Sequence, residues 1–516
     1  MLINLSVILY GKSPKRIAFH VSLLFAVHPI HSEAVASIVG RAELLMTLFT
    51  LLSLHLYIKC WCELRFSTKS IITILFLSTI ALFSKEQGIV AMKNCLILFQ
   101  FINYCYIYMF YIWLQLYPIH LCFDYSMGCV TLIKSINDPR FLISIIFIIS
   151  VIIFVIQLIK GYFEKQYRLQ SFSIIFYIIT FLPASNIFVT VGFVIAERVL
   201  YLPSIGFCLF IVSMDDKLDE LMIRNKTENI FKSFKTIIVI MLLLKSYKRS
   251  MEWRNELDLY ESGLQVCPNN AKIHYNIAKI MADNGDINRA TVNYINALRL
   301  NPTYENAMNN LANIYLKYDR NIEAEQLLRK AIKIRPSFAA AWMNLGLAQL
   351  AQKRYKEAEN SFEHALSLRF PYPDCLYNMG LLYLQQNQKT YAKEIWRNIT
   401  RANPDHKQAW LNLFILLDET NNCAEVISLA DKVLRYHKND APLLSQLGTC
   451  YGKLGEYGNA EKFLLSAVEL EPRTSIYWKN IGTLYYRWNK FEKAKFAYWK
   501  AFQFQQQFET IQRQRN

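Results

Sequence analysis

Residues 336–370 read PSFAAAWMNLGLAQLAQKRYKEAENSFEHALSLRF, and this stretch recurs along the second half of the chain with a fixed period. Its Ala358 belongs to a ladder of Ala290, Ala324, Ala392, Ala460 and Ala494, all 34 residues or a multiple of 34 apart, with Val426 in the remaining place. Pro336 belongs to a second ladder with Pro268, Pro302, Pro404 and Pro472, and Phe370 and Lys438 stand at its two missing places. Leu345-Gly346 recurs as Met379-Gly380, Leu447-Gly448 and Ile481-Gly482, and Trp342 as Trp410 and Trp478. A small residue at a fixed place in a second helix lets that helix lie close on the first. A proline at its end stops the helix, because the ring removes an N–H and clashes with the preceding turn. Each period is therefore a pair of antiparallel helices, and stacking the pairs buries a continuous core.

The period and its signature residues are those of the tetratricopeptide repeat (TPR). Seven copies are expected over residues 271–508, with a polar tail at 509–516. They predict an α-solenoid with a concave groove. The fifth copy is the weakest, holding Val426 and Lys438 at two signature places. A further ladder runs through the first helices: Asn276, Asn310, Asn344, Asn378, Asn412 and Asn480, with Gln446 completing it. An amide side chain carries a donor and an acceptor and so suits the backbone of an extended peptide. The same ladder is equally suited to packing neighbouring repeats against one another, and both readings stand.

The first half has a different composition. Overall, 53% of the 516 residues are hydrophobic and 19% charged, which excludes a disordered chain. The apolar residues concentrate before residue 250. Stretches proposed as membrane spans lie at about 17–27, 44–58, 70–84, 89–105, 107–121, 141–159, 170–182, 193–213 and 236–247. This gives a multi-span domain at 1–250 and a linker helix at 251–270. The fold class is all-α throughout. The formal net charge is +17, and a basic excess inside an apolar half is what cytoplasmic loops produce. A nucleic-acid binder would carry that excess as a patch on a soluble domain, so nucleic acid is not an expected partner. Eleven cysteines without paired spacing argue against a disulfide scaffold or zinc ribbon.

Charge also orients the spans. Lys12, Lys15 and Arg16 form one basic group, and Lys59, Arg65 and Lys69 a second. Lys160, Lys165 and Arg168 form a third, and Lys217, Arg224, Lys226, Lys232 and Lys235 a fourth. Placing these four groups in the cytoplasm puts everything from about Lys248 onward, repeats included, on the opposite face. The polar clusters His28-Pro29-Ile30-His31-Ser32-Glu33, Gly40-Arg41-Ala42-Glu43, Lys85-Glu86-Gln87-Gly88, the Asp124 turn and Glu197-Arg198 fall on that same face. Polar residues are costly beside lipid and mark candidate sites. Arg41, Lys85 and Arg198 suit a phosphate or diphosphate, while Glu33, Glu43 and Glu86 suit orienting those cations or binding sugar hydroxyls. His28 and His31 are metal ligands by type, yet their spacing on an irregular loop argues against a divalent metal. No phosphate-cradling glycine loop, HExxH helix or nucleophile elbow is present.

The stretches HPIHSEAVASIVGRAELL, FSKEQGI, LCFDYSMGCVTLI and LPASNIFVTVGFVIAERVLYLPSIGFC, with the junction WRNELDLYESGLQVCPNNAKIHYN, resemble the transmembrane-and-tetratricopeptide family of protein O-mannosyltransferases. The resemblance implies a GT-C-like glycosyltransferase in the endoplasmic-reticulum membrane, with its repeats in the lumen. Its donor would be dolichyl-phosphate mannose, and its acceptors Ser or Thr of lumenal proteins, cadherin domains among them. On this reading the donor site draws on His28, His31, Glu33, Arg41, Glu43, Lys85, Glu86, Asp124, Glu197 and Arg198. The family's first span and first lumenal loop, with the acidic pair that holds its catalytic carboxylate, have no counterpart here, and a region before Phe101 is shortened. No catalytic base is therefore assigned, and the chain as written is expected to be inactive where a longer form transfers mannose. A membrane-anchored scaffold recruiting lumenal partners is the alternative, and a transporter a more distant one. Cys267, Cys375, Cys423 and Cys450 fall in the oxidising lumen, with no pairing deducible. Asn398-Ile399-Thr400 is a lumenal glycosylation sequon on a repeat helix, where packing can shield it, and Asn225-Lys226-Thr227 falls in a cytoplasmic loop and is expected to stay unmodified.

Overall fold

The computed structural model describes residues 14–63, 67–83, 97–163, 168–187, 192–224 and 228–515, and every regular element among them is helical. Two compact units emerge, Met1–Pro302 and Thr303–Asn516, so the first repeat belongs with the apolar half.

In the first unit the apolar helices are α1 (Pro14–Val27), α3 (Arg41–Cys62), α4 (Thr68–Phe83), α5 (Ile97–Leu116), α6 (Pro139–Phe163), α7 (Arg168–Phe181), α8 (Pro203–Arg224) and α9 (Glu228–Glu252). The short α2 (Ser32–Ala36) sits in the first loop, and α10 (Glu256–Val266) leads to the repeats. Two expected spans, 89–105 and 107–121, give one described helix, α5. Residues 97–116 contain no Pro, Gly or charge that would break it. The expected span at 193–213 starts later, at Pro203, because residues Glu197–Leu200 form a separate 3-10 turn and Pro203 opens α8. A buried cluster of Ile17, Val21, Ile58, Leu169, Ile205 and Leu209 joins α1, α3, α7 and α8.

Among the described residues, one helix segment, Arg41–Cys60, is both long and apolar enough to cross a membrane. Other helices in this unit nevertheless hold large apolar side chains in the open. Phe76 of α4 is 63% exposed, Leu142 of α6 63% and Ile230 of α9 75%. Exposed apolar area on this scale needs a cover that water does not supply.

The repeats are helix pairs, beginning with Ala271–Asp283 and Ile287–Leu300 in the first unit. Three recurring details show why the period is fixed. The turn between the two helices carries a left-handed residue at Gly285, Asp319, Lys353, Asn387, Asn421, Gly455 and Asn489, each 34 after the last. Gly and Asn fill five of these places, since they adopt positive φ at least cost. The Trp342 indole donates to the Pro336 carbonyl at 2.9 Å, Trp410 to Pro404 at 2.8 Å and Trp478 to Pro472 at 2.8 Å, so tryptophan and proline ladders are one device.

The third detail is size matching. A methyl added at Gly346 would come within 2.6 Å of the Phe362 ring, and one at Gly380 within 2.3 Å of Trp396, sixteen residues on. In the fifth repeat the sizes are exchanged: Phe414 stands where the glycine was and Ala430 where the large residue was, both buried in one cluster. The second helix of that repeat is split there into Cys423–Ser428 and Ala430–Tyr436. The repeat with the weakest signature is thus also the irregular one.

Candidate functional site

The first loop turns tightly after α1. His28 Nε2 donates to the Gln115 carbonyl of α5 at 2.8 Å, and its Nδ1 accepts the Ile30 N–H at 3.3 Å. His31 Nε2 lies 2.8 Å from Ser204 Oγ of α8. Both rings are buried, and burial holds their pKa values down, to about 4 for His28 and about 3 for His31. They are neutral at physiological pH and fasten the loop to α5 and α8. With both His28 nitrogens engaged, that ring offers no lone pair to a metal.

Glu33, one turn further on, is 2% exposed. One of its oxygens accepts the Arg198 backbone N–H at 2.9 Å and the other accepts Arg198 Nη1 at 2.5 Å. Burial pushes this carboxyl up, while the adjoining guanidinium and amide pull it back. The Arg198 side chain remains 23% exposed, with its guanidinium over the Phe193 ring at 5.5 Å. Arg41, at the start of α3, is exposed, and Glu43 one residue beyond Ala42 is buried.

Glu197 is wholly buried. Its Oε1 accepts the Cys122 N–H at 2.7 Å and the Tyr125 hydroxyl at 2.8 Å, and its Oε2 stands 3.7 Å from Arg249 Nη2. Arg249, 1% exposed near the end of α9, donates through Nη1 to Glu252 at 2.8 Å. Burial raises the Glu197 carboxyl to about 7, against the pull of Arg249, and the nearby Glu33 charge adds to the rise. Asp124 is committed elsewhere: Lys272 of the first repeat donates to it at 2.5 Å, and that partner with the Ser126 amide holds it below the usual carboxylate range in spite of burial. A disulfide joins Cys129, in the same loop, to Cys267 at the end of α10.

The structure therefore gathers His28, His31, Glu33, Glu197, Arg198 and the Asp124 loop at one end of the first unit. Arg198 keeps part of its guanidinium open there, and Arg41 is exposed at the start of α3. Lys85 and Glu86 lie outside the described residues. Beside the cluster, α5, α6, α7 and α8 line an open apolar cavity of about 400 Å³, with Ile112, Leu116, Phe147, Tyr177, Phe207 and Phe210 in its wall. Its wall meets the polar end where Gln115 Nε2 donates to Tyr177 Oη at 3.1 Å.

The amide ladder has a structural occupation at three rungs of the second unit. Asn344 donates to Asn309 at 2.9 Å, Asn412 to the Tyr377 hydroxyl at 3.0 Å and Asn480 to Ser445 at 3.0 Å, each reaching 35 residues back. These N–H groups tie a repeat to the one before it. Asn276, Asn310, Asn378 and Gln446 are half-buried at their own rungs.

Residues 83–152 match the family model described as protein O-mannosyl-transferase TMTC, DUF1736, and residues 309–371, 374–406 and 441–474 match tetratricopeptide models. The protein O-mannosyl-transferase F38B6.6 of Caenorhabditis elegans is 41% identical over 93% of this chain and 74% of its own length. The chain belongs to the TMTC family of protein O-mannosyl-transferases. Human TMTC4 is 36% identical over 51% of this chain, and this chain spans 47% of that relative. Among solved structures, that of Pseudomonas aeruginosa pilF is 22% identical, covering 39% of this chain and 92% of its own with a TM-score of 0.34. Within this TMTC chain, Tyr125, Arg249, Gln115, Ser204 and Lys272 join the site without having been singled out from sequence. Arg249 gave no separate signal, since it follows Lys245 and Lys248 in a basic stretch behind the apolar run 237–244. Tyr125 sat beside Asp124 and gave none, since a tyrosine in an aromatic-rich half is unremarkable by composition.

Proposed function

We propose that this chain binds dolichyl-phosphate mannose in the endoplasmic-reticulum membrane and serves mannose transfer to Ser or Thr of lumenal proteins, cadherin-like domains among them. Its apolar helices cross the membrane several times, and its repeats stand in the lumen and present the acceptor. One observation carries the reading: a partly exposed guanidinium, Arg198, is held in fixed orientation by buried Glu33 at the polar end of the unit, close to an apolar cavity. A fixed cation suits a lipid phosphate, and the cavity suits part of an isoprenoid chain. The exposed faces of α4, α6 and α9 meet lipid tails in this arrangement. Arg41 adds a second cation.

Transfer also needs a base at the acceptor hydroxyl. Glu33, Glu43 and Glu197 are buried, and Asp124 is paired with Lys272. None of these four is assigned that role. This same observation favours the second reading, a lumenal repeat scaffold without catalysis. The two part on donor binding. Full-length chain in lipid nanodiscs is expected to bind dolichyl-phosphate mannose, with affinity lowered about tenfold or more in Arg198→Ala. A smaller loss is expected in Arg41→Ala. Unchanged affinity in both variants, or no binding by the wild type, removes the donor assignment and leaves the scaffold.

A further inference from the structure

We infer that the loop of residues 122–129 is a clasp that locks the first repeat to the Arg198 site, with Tyr125, Glu197, Asp124 and Lys272 as its positioning residues. The inference rests on Arg198 being the donor cation, and it assigns to this loop a task that no residue pattern announced.

The clasp has two sides. On the site side, Cys122 N–H and Tyr125 Oη both converge on Glu197 Oε1. Glu197 adjoins Arg198, whose own N–H is spent on Glu33. The preceding residue is fixed as well, since Ala196 N–H donates to the Tyr111 hydroxyl at 3.0 Å. On the repeat side, Asp124 accepts from Lys272 through its carboxylate and from Asn270 Nδ2 through its carbonyl, at 2.5 and 3.0 Å. The Met127 carbonyl accepts the Ala271 N–H at 3.1 Å. Gly128, at φ 104°, brings the backbone so near Asn269 that any Cβ would lie 2.5 Å from its carbonyl oxygen, and Cys129 closes the loop onto Cys267. Phe123 packs at a tilt against Tyr260, ring centroids 5.0 Å apart, and lies against Gly263.

Both ends of α10 are thereby fastened to one carboxylate neighbourhood. Arg249 precedes it and faces Glu197, and Cys267 follows it and is bonded into the loop that Glu197 holds. A stretch of eight residues within the connection from α5 to α6 has no need, for joining two helices, of a disulfide, an ion pair and a buried tyrosine hydroxyl. Glu197 makes no opening to solvent, so it acts on a donor only through what it holds in place.

Hydrogen exchange of the full-length chain in nanodiscs tests this without reference to the donor. The amides of Cys122 and Arg198 report the site side, that of Ala271 the repeat side, and that of Cys208, inside α8, the integrity of the unit. Tyr125→Phe keeps the ring and removes the hydroxyl. It is expected to speed exchange at Cys122 and Arg198 about tenfold, with Cys208 unchanged. Lys272→Met is expected to speed Ala271 and, at a distance, Arg198 about threefold, and Asp124→Lys combined with Lys272→Asp to restore slow exchange. Should Tyr125→Phe also expose Cys208, the Lys272→Met result decides alone. Exchange at Arg198 that is the same in Lys272→Met as in the wild type overturns the clasp. A second arm measures dolichyl-phosphate mannose affinity in Lys272→Met. A drop there without a donor contact supports the clasp, whereas altered exchange with unaltered affinity upholds the clasp and refutes Arg198 as the donor cation.

Discussion

Two buried histidines and two buried carboxylates in the first unit carry opposite pH signatures, and the signs follow from their shifts. His28 and His31 are depressed from an ordinary 6.5 to about 4 and about 3. Their contribution to stability is complete above pH 6.5 and is lost as pH falls through their native values, because the unfolded chain then takes up protons that the folded one refuses. Glu197 runs the other way. Raised from 4.5 to about 7, it contributes below pH 4.5 and the contribution is lost as pH rises through 7. Between pH 6.5 and 4 the two rings lose their contribution on acidification, while Glu197 and Glu33, whose carboxyl burial also raises, act in the opposite sense. His31→Gln should therefore lose less melting temperature than wild type as the chain in nanodiscs is acidified. Glu197→Gln should do the reverse, gaining stability relative to wild type as pH is raised from 5 to 8. A parallel pH profile in wild type and both variants would contradict the burial argument. The partners that bury these rings, Gln115 and Ser204, come from α5 and α8, far along the chain. The sequence therefore showed the polar cluster around His28 but not that its histidines are fasteners.

At the scale of the element, the repeats were legible because each signature residue has a local mechanical cause. Trp342, Trp410 and Trp478 answer the prolines six residues before them, and glycine recurs where a large ring from the second helix presses in. That correspondence makes two opposite expectations at one repeat position. Gly380→Ala overpacks against Trp396 and should cost about 1–3 kcal/mol. Phe414→Ala empties the exchanged site of the fifth repeat and should cost about 3–5 kcal/mol. Chemical denaturation of the full chain, followed by tryptophan fluorescence, measures both; a neutral Phe414→Ala would mean that the size exchange with Ala430 is not what fills the core there. The break between Ser428 and Ala430 was not legible, since Leu429 is an ordinary helix former and the interruption comes from packing. The spans expected at 89–105 and 107–121 meet in one described helix, because residues 97–116 hold no Pro, Gly or charge to divide them, and residues 89–96 lie outside the described ones. The amide ladder was visible as a period, but three of its rungs spend their N–H groups on the preceding repeat, a contact 35 residues away that no local pattern encodes.

For the whole molecule, charge alone separated the loops into two faces, and the structure brings the described members of one set, the His28, Asp124 and Glu197 segments and the start of the repeats, into direct contact within the first unit. What charge did not reveal is the covalent tie: eleven cysteines without spacing give no pairing, and Cys129 and Cys267 meet only because the loop and α10 fold onto each other. A second disulfide, Cys423–Cys450, links the irregular fifth repeat to the sixth. If both belong to the lumen, Asn398 shares that compartment, exposed on its helix, but the Thr400 of its sequon is buried with its hydroxyl bonded to the Arg397 carbonyl. The most direct measurement is disulfide mapping on full-length protein from endoplasmic-reticulum membranes, alkylated before lysis and digested without reduction. A linked peptide containing Cys129 and Cys267 is the expected result, since it requires the loop and the repeats to share one oxidising compartment and to touch. Recovery of both cysteines as separately alkylated thiols, with the repeats cleaved by protease added on the cytosolic side, would contradict it.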